Sequence, residues 1–437
     1  MLPSALTLQN YRSFPGPQHL ELRPITLVYG VNNAGKSSLL RVLPLLGASV
    51  EPEVTGPLHL ECSAMHGASF EDIRWSNSST QNEVDDDKDN AHQAIRISLH
   101  WAEGEPHSID YVFDRIESPE TPLFRRLRVR TFSTKDTSGW THARRKLLRS
   151  EEDAAALTYE IHDPTQGVLG LTSIEFEGLL PKTPAEDPRA AWLNSARLRV
   201  AELQSQVQWL RAKRQPPLRY SILPSNPRRR LQEDGSDAAL LLVTRPDLRA
   251  AVSNWYERMV ERRLVLTETP PAAFRTQLQH IKTGSTVDLL DSGEGMNQVL
   301  PVLCALELAS IQSRSRDIRA PRILALEEPE SHLHPHLQRG LVERIAQIAS
   351  AEDPPRIVLE THSEYILLGV QLAIAKGILK PADVAVYWVR QQDDGRSIAE
   401  LSTFDELAFP QGAWPAGVFS EDTELAREIV RARKGQK

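Results

Sequence analysis

Gly30-Val31-Asn32-Asn33-Ala34-Gly35-Lys36-Ser37 fits the pattern Gly-x-x-x-x-Gly-Lys-Ser/Thr at every fixed position. The apolar run Ile25-Thr26-Leu27-Val28-Tyr29 precedes it and Ser38-Leu39-Leu40-Arg41-Val42-Leu43 follows, so the spacing predicts strand, loop and helix in the order the motif requires. Glycines let backbone N–H groups curl around a phosphate, and the helix N-terminus adds partial positive charge. In such a loop Lys36 reaches the β- and γ-phosphates and the Ser37 hydroxyl can ligate Mg²⁺. The stretch is read as a nucleotide site.

A second group of chemically suggestive residues follows Ile323-Leu324-Ala325-Leu326, a short apolar run of the kind buried on both faces of a parallel sheet. Glu327-Glu328-Pro329-Glu330 stands directly after it, at the strand end where parallel sheets bind ligands. In a nucleotide hydrolase the first carboxylate, Glu327, holds Mg²⁺ through its waters, and Glu328 polarises the attacking water. His362 follows another such run, 357–359, and is placed to touch a γ-phosphate. His332, His334 and His336 alternate after the carboxylates, but Pro335 suits the first turn of a helix and breaks the alternation, so a structural or subunit-contact role is favoured over zinc. Asp291-Ser292-Gly293-Glu294-Gly295-Met296-Asn297-Gln298 opens a long apolar helix, 299–311. Its small residues offer bare N–H groups to an anion; taken alone the stretch reads as a plain glycine-rich helix cap, and only beside the phosphate loop does a second anion-binding helix start suggest a nucleotide shared between two subunits.

Composition sets outer limits. The 437 residues carry 40% hydrophobic and 25% charged side chains, with a net charge of −7, an ordinary water-soluble composition without a run of ~18 apolar residues. The first residues lack a basic segment before an apolar core, so a first strand is expected rather than a signal peptide, and cytoplasm is the expected location. Cys62 and Cys304 lie far apart, which excludes a disulfide framework and a thiolate zinc site. Two basic stretches stand out: 123–149, which includes Arg125, Arg126, Arg128 and Arg130, and 211–230, from Arg211 to Arg230. Either could bind phosphates or an acidic partner; a solvated face balanced by acidic runs is the competing reading.

Along the chain, short strands are expected at 6–8 and 20–22, leading into the phosphate-loop strand, and strands near 95–101, 109–113, 127–132, 157–161 and 173–176 are expected to form an antiparallel layer after the loop helix. A polar, acidic loop is expected at 77–90, and helices at 190–214, 238–242 and 246–263. Buried strands at 323–326, 357–359 and 384–389 complete an α/β core.

Together these motifs resemble the ABC-type ATPases of the RecF, SMC and OLD class. The loop matches their Walker A, Leu324 to Glu330 with Leu333-His334-Pro335 their Walker B and D-loop, and His362 their switch histidine. Tyr11-Arg12-Ser13-Phe14 is similar to their opening segment, and Trp414-Pro415-Ala416-Gly417-Val418-Phe419 to the tail of members with a short C-terminal extension. The resemblance implies a P-loop NTPase head, a mixed or parallel sheet core with an antiparallel β layer and a helical insertion, divided as 1–185, 186–265 and 266–437. It further implies ATP contacts from Arg12, Ser13, Gly30, Asn32, Asn33, Ala34, Gly35, Lys36, Ser37 and Ser38, and Mg²⁺ at Ser37 and Glu327. Ser292, Gly293, Glu294 and Gly295 replace the usual Leu-Ser-Gly-Gly-Gln signature and would act from a second copy, with either Ser292 or Gly293 at the γ-phosphate.

The expected assembly is a homodimer, or a higher oligomer of dimers, glued by ATP. The stretch after His362 is expected to hold a helix, two strands and a tail, not an appended nuclease domain, so any effector would be another polypeptide. Three roles are weighed: control of a separately encoded nuclease or toxin in bacterial anti-phage defence, RecF-like action directly on DNA, and a transporter-type cassette. The large insertion between Lys36 and Glu327 and the altered signature disfavour the last.

Overall fold

A computed structural model describes residues 2–54, 56–76, 94–116, 126–146, 156–182, 191–223, 230–269, 273–315 and 321–414. The phosphate-loop strand Ile25–Gly30 lies in the middle of a seven-stranded sheet. In spatial order its strands are Val207–Leu210, Ile323–Glu327, Arg356–Glu360, Ile25–Gly30, Val384–Gln391, Ser397–Phe404 and Pro410–Gly412. The first five run parallel and the last two extend the edge antiparallel. Ile25, Leu27 and Tyr29 enter one hydrophobic core while Val28 enters the other; Leu324 and Leu326 oppose Ile323 and Ala325 in the same way. Both faces are therefore covered, which explains why these runs read as continuously apolar. Each Leu or Ile so buried contributes roughly 1.5–3 kcal/mol.

One core lies beneath the loop helix Lys36–Ala48 and an antiparallel sheet; the other lies beneath the helices Ala238–Thr244, Pro246–Val260, Glu294–Ser315, Pro335–Ala349 and Glu364–Ala375. The antiparallel sheet has nine strands, in the order Leu180–Lys182, Gly167–Glu177, Ala156–Asp163, Trp140–Arg145, Arg126–Lys135, Ser108–Ile116, Ile95–His100, Ala5–Gln9 and Gln18–Glu21. Thus the first strand of the chain and the middle β-rich zone form one layer over the loop helix.

The helix expected over 190–214 is a correction. Ala191–Ala201 and Leu203–Gln206 are helical, but the chain then straightens into Val207–Leu210, which pairs in parallel with Ile323–Leu326. The segment 186–265 consequently contributes an edge strand to the seven-stranded sheet as well as helices. The helix expected to reach residue 263 stops at Val260, where Glu261 takes φ +51° and starts a hairpin, Arg262–Thr269 with Ala273–His280. Cys62 and Cys304 are free, and no helix among the described residues is long and apolar enough to cross a membrane. The loop expected at 77–90, Arg125, Arg149, Arg228, Arg229 and the tail beyond Trp414 lie outside the described residues.

Candidate functional site

The loop's glycines are required by what surrounds them. A Cβ on Gly30 would come within 2.2 Å of the Val389 carbonyl oxygen, and one on Gly35, at φ +103°, within 2.8 Å of Ser13 Oγ and 3.1 Å of the Phe14 ring. The second contact is why Arg12-Ser13-Phe14 sits beside the loop: Tyr11 and Phe14 close a tight turn that packs its tip on Gly35. The helix starting at Lys36 has no side-chain cap, so its first-turn N–H groups are available to an anion, where the helix dipole favours negative charge. Lys36 is only 4% exposed, and its ammonium donates to the Val31 carbonyl at 2.8 Å. Burial lowers its pKa, opposed by Glu360 and Glu328.

A cavity of about 670 Å³ opens over this helix start. Arg12, Ser13, Asn32, Asn33, Gly35, Lys36, Ser37, Ser38, Glu328 and His362 all line it. Gly30 and Ala34 do not line it; Gly30 ends the strand and Ala34 is buried beneath the loop. The sequence reading missed Glu71, Asp72, Arg74, Trp75, Ser76, Glu360 and Gln391, which line the same cavity. The short helix Phe70–Ile73, closed by a Ser69–Asp72 capping box, presents the first of these. A Ser-x-x-Asp pattern before Arg74-Trp75 was the signal available in the sequence.

Glu327 is placed differently from expectation, and does not line the cavity. Its Oε1 accepts from Arg41 Nε at 2.6 Å and Trp209 Nε1 at 3.0 Å, and its Oε2 from Arg41 Nη2 at 2.9 Å and the Ala212 N–H at 3.3 Å. Both oxygens are therefore engaged by a bidentate arginine and two further donors, and the side chain is 3% exposed. Replacing Arg41 with alanine would strand a buried carboxylate, at a cost of roughly 3–5 kcal/mol. Scanning calorimetry on Arg41→Ala is expected to show a thermal midpoint lowered by several degrees; an unchanged midpoint would show the pair to be dispensable.

Glu360 is the neighbour of Glu327 in register on the adjacent strand. It accepts a hydrogen bond from the Ser37 hydroxyl at 2.7 Å, and burial, aided by Glu327, pushes its carboxyl up to about 7 against the pull of that bond. Glu328 sits at φ +41°, held by its own N–H donating to the Glu360 carbonyl at 2.8 Å and by Arg214 Nη2 donating to its carbonyl at 2.6 Å. Its side chain accepts from the Ser331 hydroxyl at 2.9 Å. Burial pulls the Arg214 guanidinium down to about 10, and the Arg214 carbonyl accepts from Gln298 Nε2 at 3.1 Å, tying the helix Glu294–Ser315 to the carboxylate loop. Glu330 turns inward, where its Oε1 accepts from the His362 N–H at 3.1 Å and from the Thr361 hydroxyl. Burial lowers the His362 pKa, with Lys36 adding to the effect and Glu328 opposing it.

Ser292, Gly293, Glu294 and Gly295 lie outside this cavity. Gly295 packs against the loop after Glu330, where an added Cβ would approach the His332 carbonyl to 2.6 Å. Ser292 Oγ donates to the Leu289 carbonyl at 2.6 Å, Glu294 accepts from Gln298 at 2.8 Å, and Gly293, at φ +102°, has open space around it. His332, His334 and His336 are exposed; His334 caps the helix beginning at Pro335. No group of three or more His, Cys, Asp or Glu side chains among the described residues could hold a metal by itself.

The basic stretch from Arg211 is largely consumed within the chain. Arg211 pairs with Asp234, Arg214 with the carboxylate-loop carbonyls, Arg219 with Asp288 and Asp291, and Arg230 with the Gln204 carbonyl. Among the described residues of the stretch, these four arginines are therefore engaged within the chain. In the other stretch, Arg126, Arg128 and Arg130 alternate along one strand, and Arg145 pairs with Asp114.

A parallel sheet carrying a glycine-rich loop at the start of an uncapped helix, with carboxylates on the neighbouring strand ends, defines a P-loop NTPase of the α/β class. The chain belongs to the family described as "AAA domain, putative AbiEii toxin, Type IV TA system", whose model matches residues 25–368. This membership bears out the resemblance to ABC-type ATPases of the SMC and RecF class. No curated protein matches the chain. Among solved structures it is similar to an SmcHead bound to the C-winged helix domain of ScpA (TM-score 0.45, 10% identity, covering 94% of this chain and 99% of that one). It is also similar to the SMC head domain from Thermotoga maritima (TM-score 0.44, 10% identity, 91% and 98% covered). A third is the Smc head domain with an extended coiled coil bound to the C-terminal domain of ScpA derived from Pyrococcus furiosus (TM-score 0.43, 9% identity, 98% and 99% covered).

Proposed function

We propose that this protein binds and hydrolyses ATP in the cavity over Lys36, that two copies close head to head around the nucleotide, and that this cycle controls a separately encoded nuclease or toxin in anti-phage defence. The observation that carries the reading is the division of parts. Lys36, Ser37, Glu328 and His362 converge on one cavity, whereas Ser292 to Gly295 stand outside it with Gly293 unobstructed. A second copy is then the source of the missing donors.

In this scheme the helix start and Lys36 neutralise the phosphates, and Glu328 accepts a proton from the attacking water. His362 donates a hydrogen bond to the γ-phosphate. Mg²⁺, when bound, offsets phosphate charge that would otherwise build up on hydrolysis; Ser37 and a carboxylate at the adjacent strand ends suit it. Since each nucleotide bridges two copies, cleavage removes the ligand that joins them. The family's description names a putative toxin of a toxin–antitoxin system, which supports a role in such a system with the chain itself on the toxin side.

Mixing two inactive variants tests the shared site. Lys36→Ala lacks its own loop, and Ser292→Arg blocks the segment offered to the partner. Each alone is expected to be inactive, while an equimolar mixture recovers about a quarter of wild-type hydrolysis, because an isologous dimer then contains one intact site in half of the assemblies. No recovery from folded variants would refute the head-to-head reading.

A further inference from the structure

We propose that Glu360, not Glu327, is the protein carboxylate that holds the divalent cation with Ser37, and that Glu327 serves as the structural counter-ion of Arg41. The inference rests on the nucleotide reading above and assigns the metal position within it.

The two carboxylates occupy equivalent places on adjacent parallel strands, Glu327 pairing in register with Glu360. Ser37 and Arg41 are one helical turn apart on the loop helix, so they face the same side. Ser37 meets Glu360 at 2.7 Å and Arg41 meets Glu327 at 2.6 Å. The helix thus divides the pair: its hydroxyl goes to one acid, its guanidinium to the other.

Their remaining valences differ. Glu327 accepts four hydrogen bonds, two on each oxygen, including the bidentate arginine. A cation would have to displace a charge already matched to it. Glu360 is 5% exposed, and its Oε2 is buried without a hydrogen-bond partner. Leaving a buried acceptor unpaired is costly, and an oxygen-seeking cation supplies the missing partner. Glu360 lines the cavity together with Lys36, Ser37 and Ser38, and Glu327 does not. Mg²⁺ characteristically takes one or two carboxylates with phosphate oxygens and water, not an all-protein cage, so one carboxylate beside Ser37 in the cavity is a sufficient protein contribution.

The test separates metal binding from nucleotide binding. Affinity for a fluorescent ATP analogue is measured on the full chain in EDTA and in Mg²⁺, and Mn²⁺ binding in the presence of the analogue is followed by electron paramagnetic resonance. Glu360→Gln is expected to keep the metal-free nucleotide affinity and to lose Mn²⁺ affinity by on the order of tenfold or more. Glu360→Asp retains a carboxylate and recovers part of it. Glu327→Gln is expected to keep Mn²⁺ affinity while lowering the thermal midpoint. Wild-type Mn²⁺ affinity in Glu360→Gln, or its loss in Glu327→Gln with Glu360→Gln intact, would overturn the assignment. A wild-type protein that binds no nucleotide in either buffer would instead sink the nucleotide reading.

Discussion

Lys36→Ala is expected to abolish nucleotide binding, and hydrolysis with it. The lysine is nearly inaccessible, and its ammonium is held against the Val31 carbonyl at the base of the cavity. A phosphate in that position finds one full positive charge and the uncapped helix start; the substitution leaves only the second. Truncating one partner of a buried charge pair costs about 2–5 kcal/mol, which corresponds to roughly 30- to 5000-fold in affinity. Lys36→Arg should not restore binding, because a planar guanidinium cannot occupy the enclosed place of a compact ammonium. Titration of a fluorescent ATP analogue, with circular dichroism to verify folding, measures the effect. Affinity within a few fold of wild type would show that the lysine does not meet the phosphates.

Glu328→Gln is expected to retain nucleotide binding and lose hydrolysis. The amide is nearly isosteric, and the loop is held by backbone contacts that the substitution leaves alone: the residue's own N–H to Glu360 and Arg214 to its carbonyl. What is lost is the acceptor for the water's proton, worth about 10²–10⁴-fold in rate. Phosphate release under single-turnover conditions reads this directly. Hydrolysis at the wild-type rate would remove Glu328 from the role of base.

The parts of the site that were legible in the sequence are those in which local geometry dictates residue type. Gly30 and Gly35 are fixed by close approaches of Val389, Ser13 and Phe14, and Ile323 to Leu326 by burial on both faces; the partners are distant, but each constraint admits so few residue types that the pattern shows in the sequence. Val207–Leu210 was misread because the apolar residues before it continue at helical spacing, while its conformation is decided by pairing with a strand more than a hundred positions away. Gln208 illustrates the conflict: a polar residue inside a buried strand, satisfied by the Leu231 carbonyl. Glu360 escaped notice for a related reason. At the end of an apolar run it reads as the exposed tip of a strand, and only the fold lays Ser37 upon it. Glu327, by contrast, had the right position and the wrong surroundings, since nothing local announces that Arg41 and Trp209 will enclose it. The basic residues after Arg211 left two readings open in the sequence, phosphate binding or an acid-balanced face, because the acidic partners of Arg211 and Arg219, Asp234, Asp288 and Asp291, arrive later in the chain.

The separation of Ser292 to Gly295 from the cavity makes association with a second copy the central claim. Its most direct measure is the mass of Glu328→Gln by light scattering after gel filtration, with ATP and Mg²⁺ and again with ADP and Mg²⁺. The account predicts about twice the chain mass of 49.0 kDa, or a multiple of that dimer, with ATP, and dissociation with ADP. A variant saturated with ATP that still elutes as a single chain would contradict it.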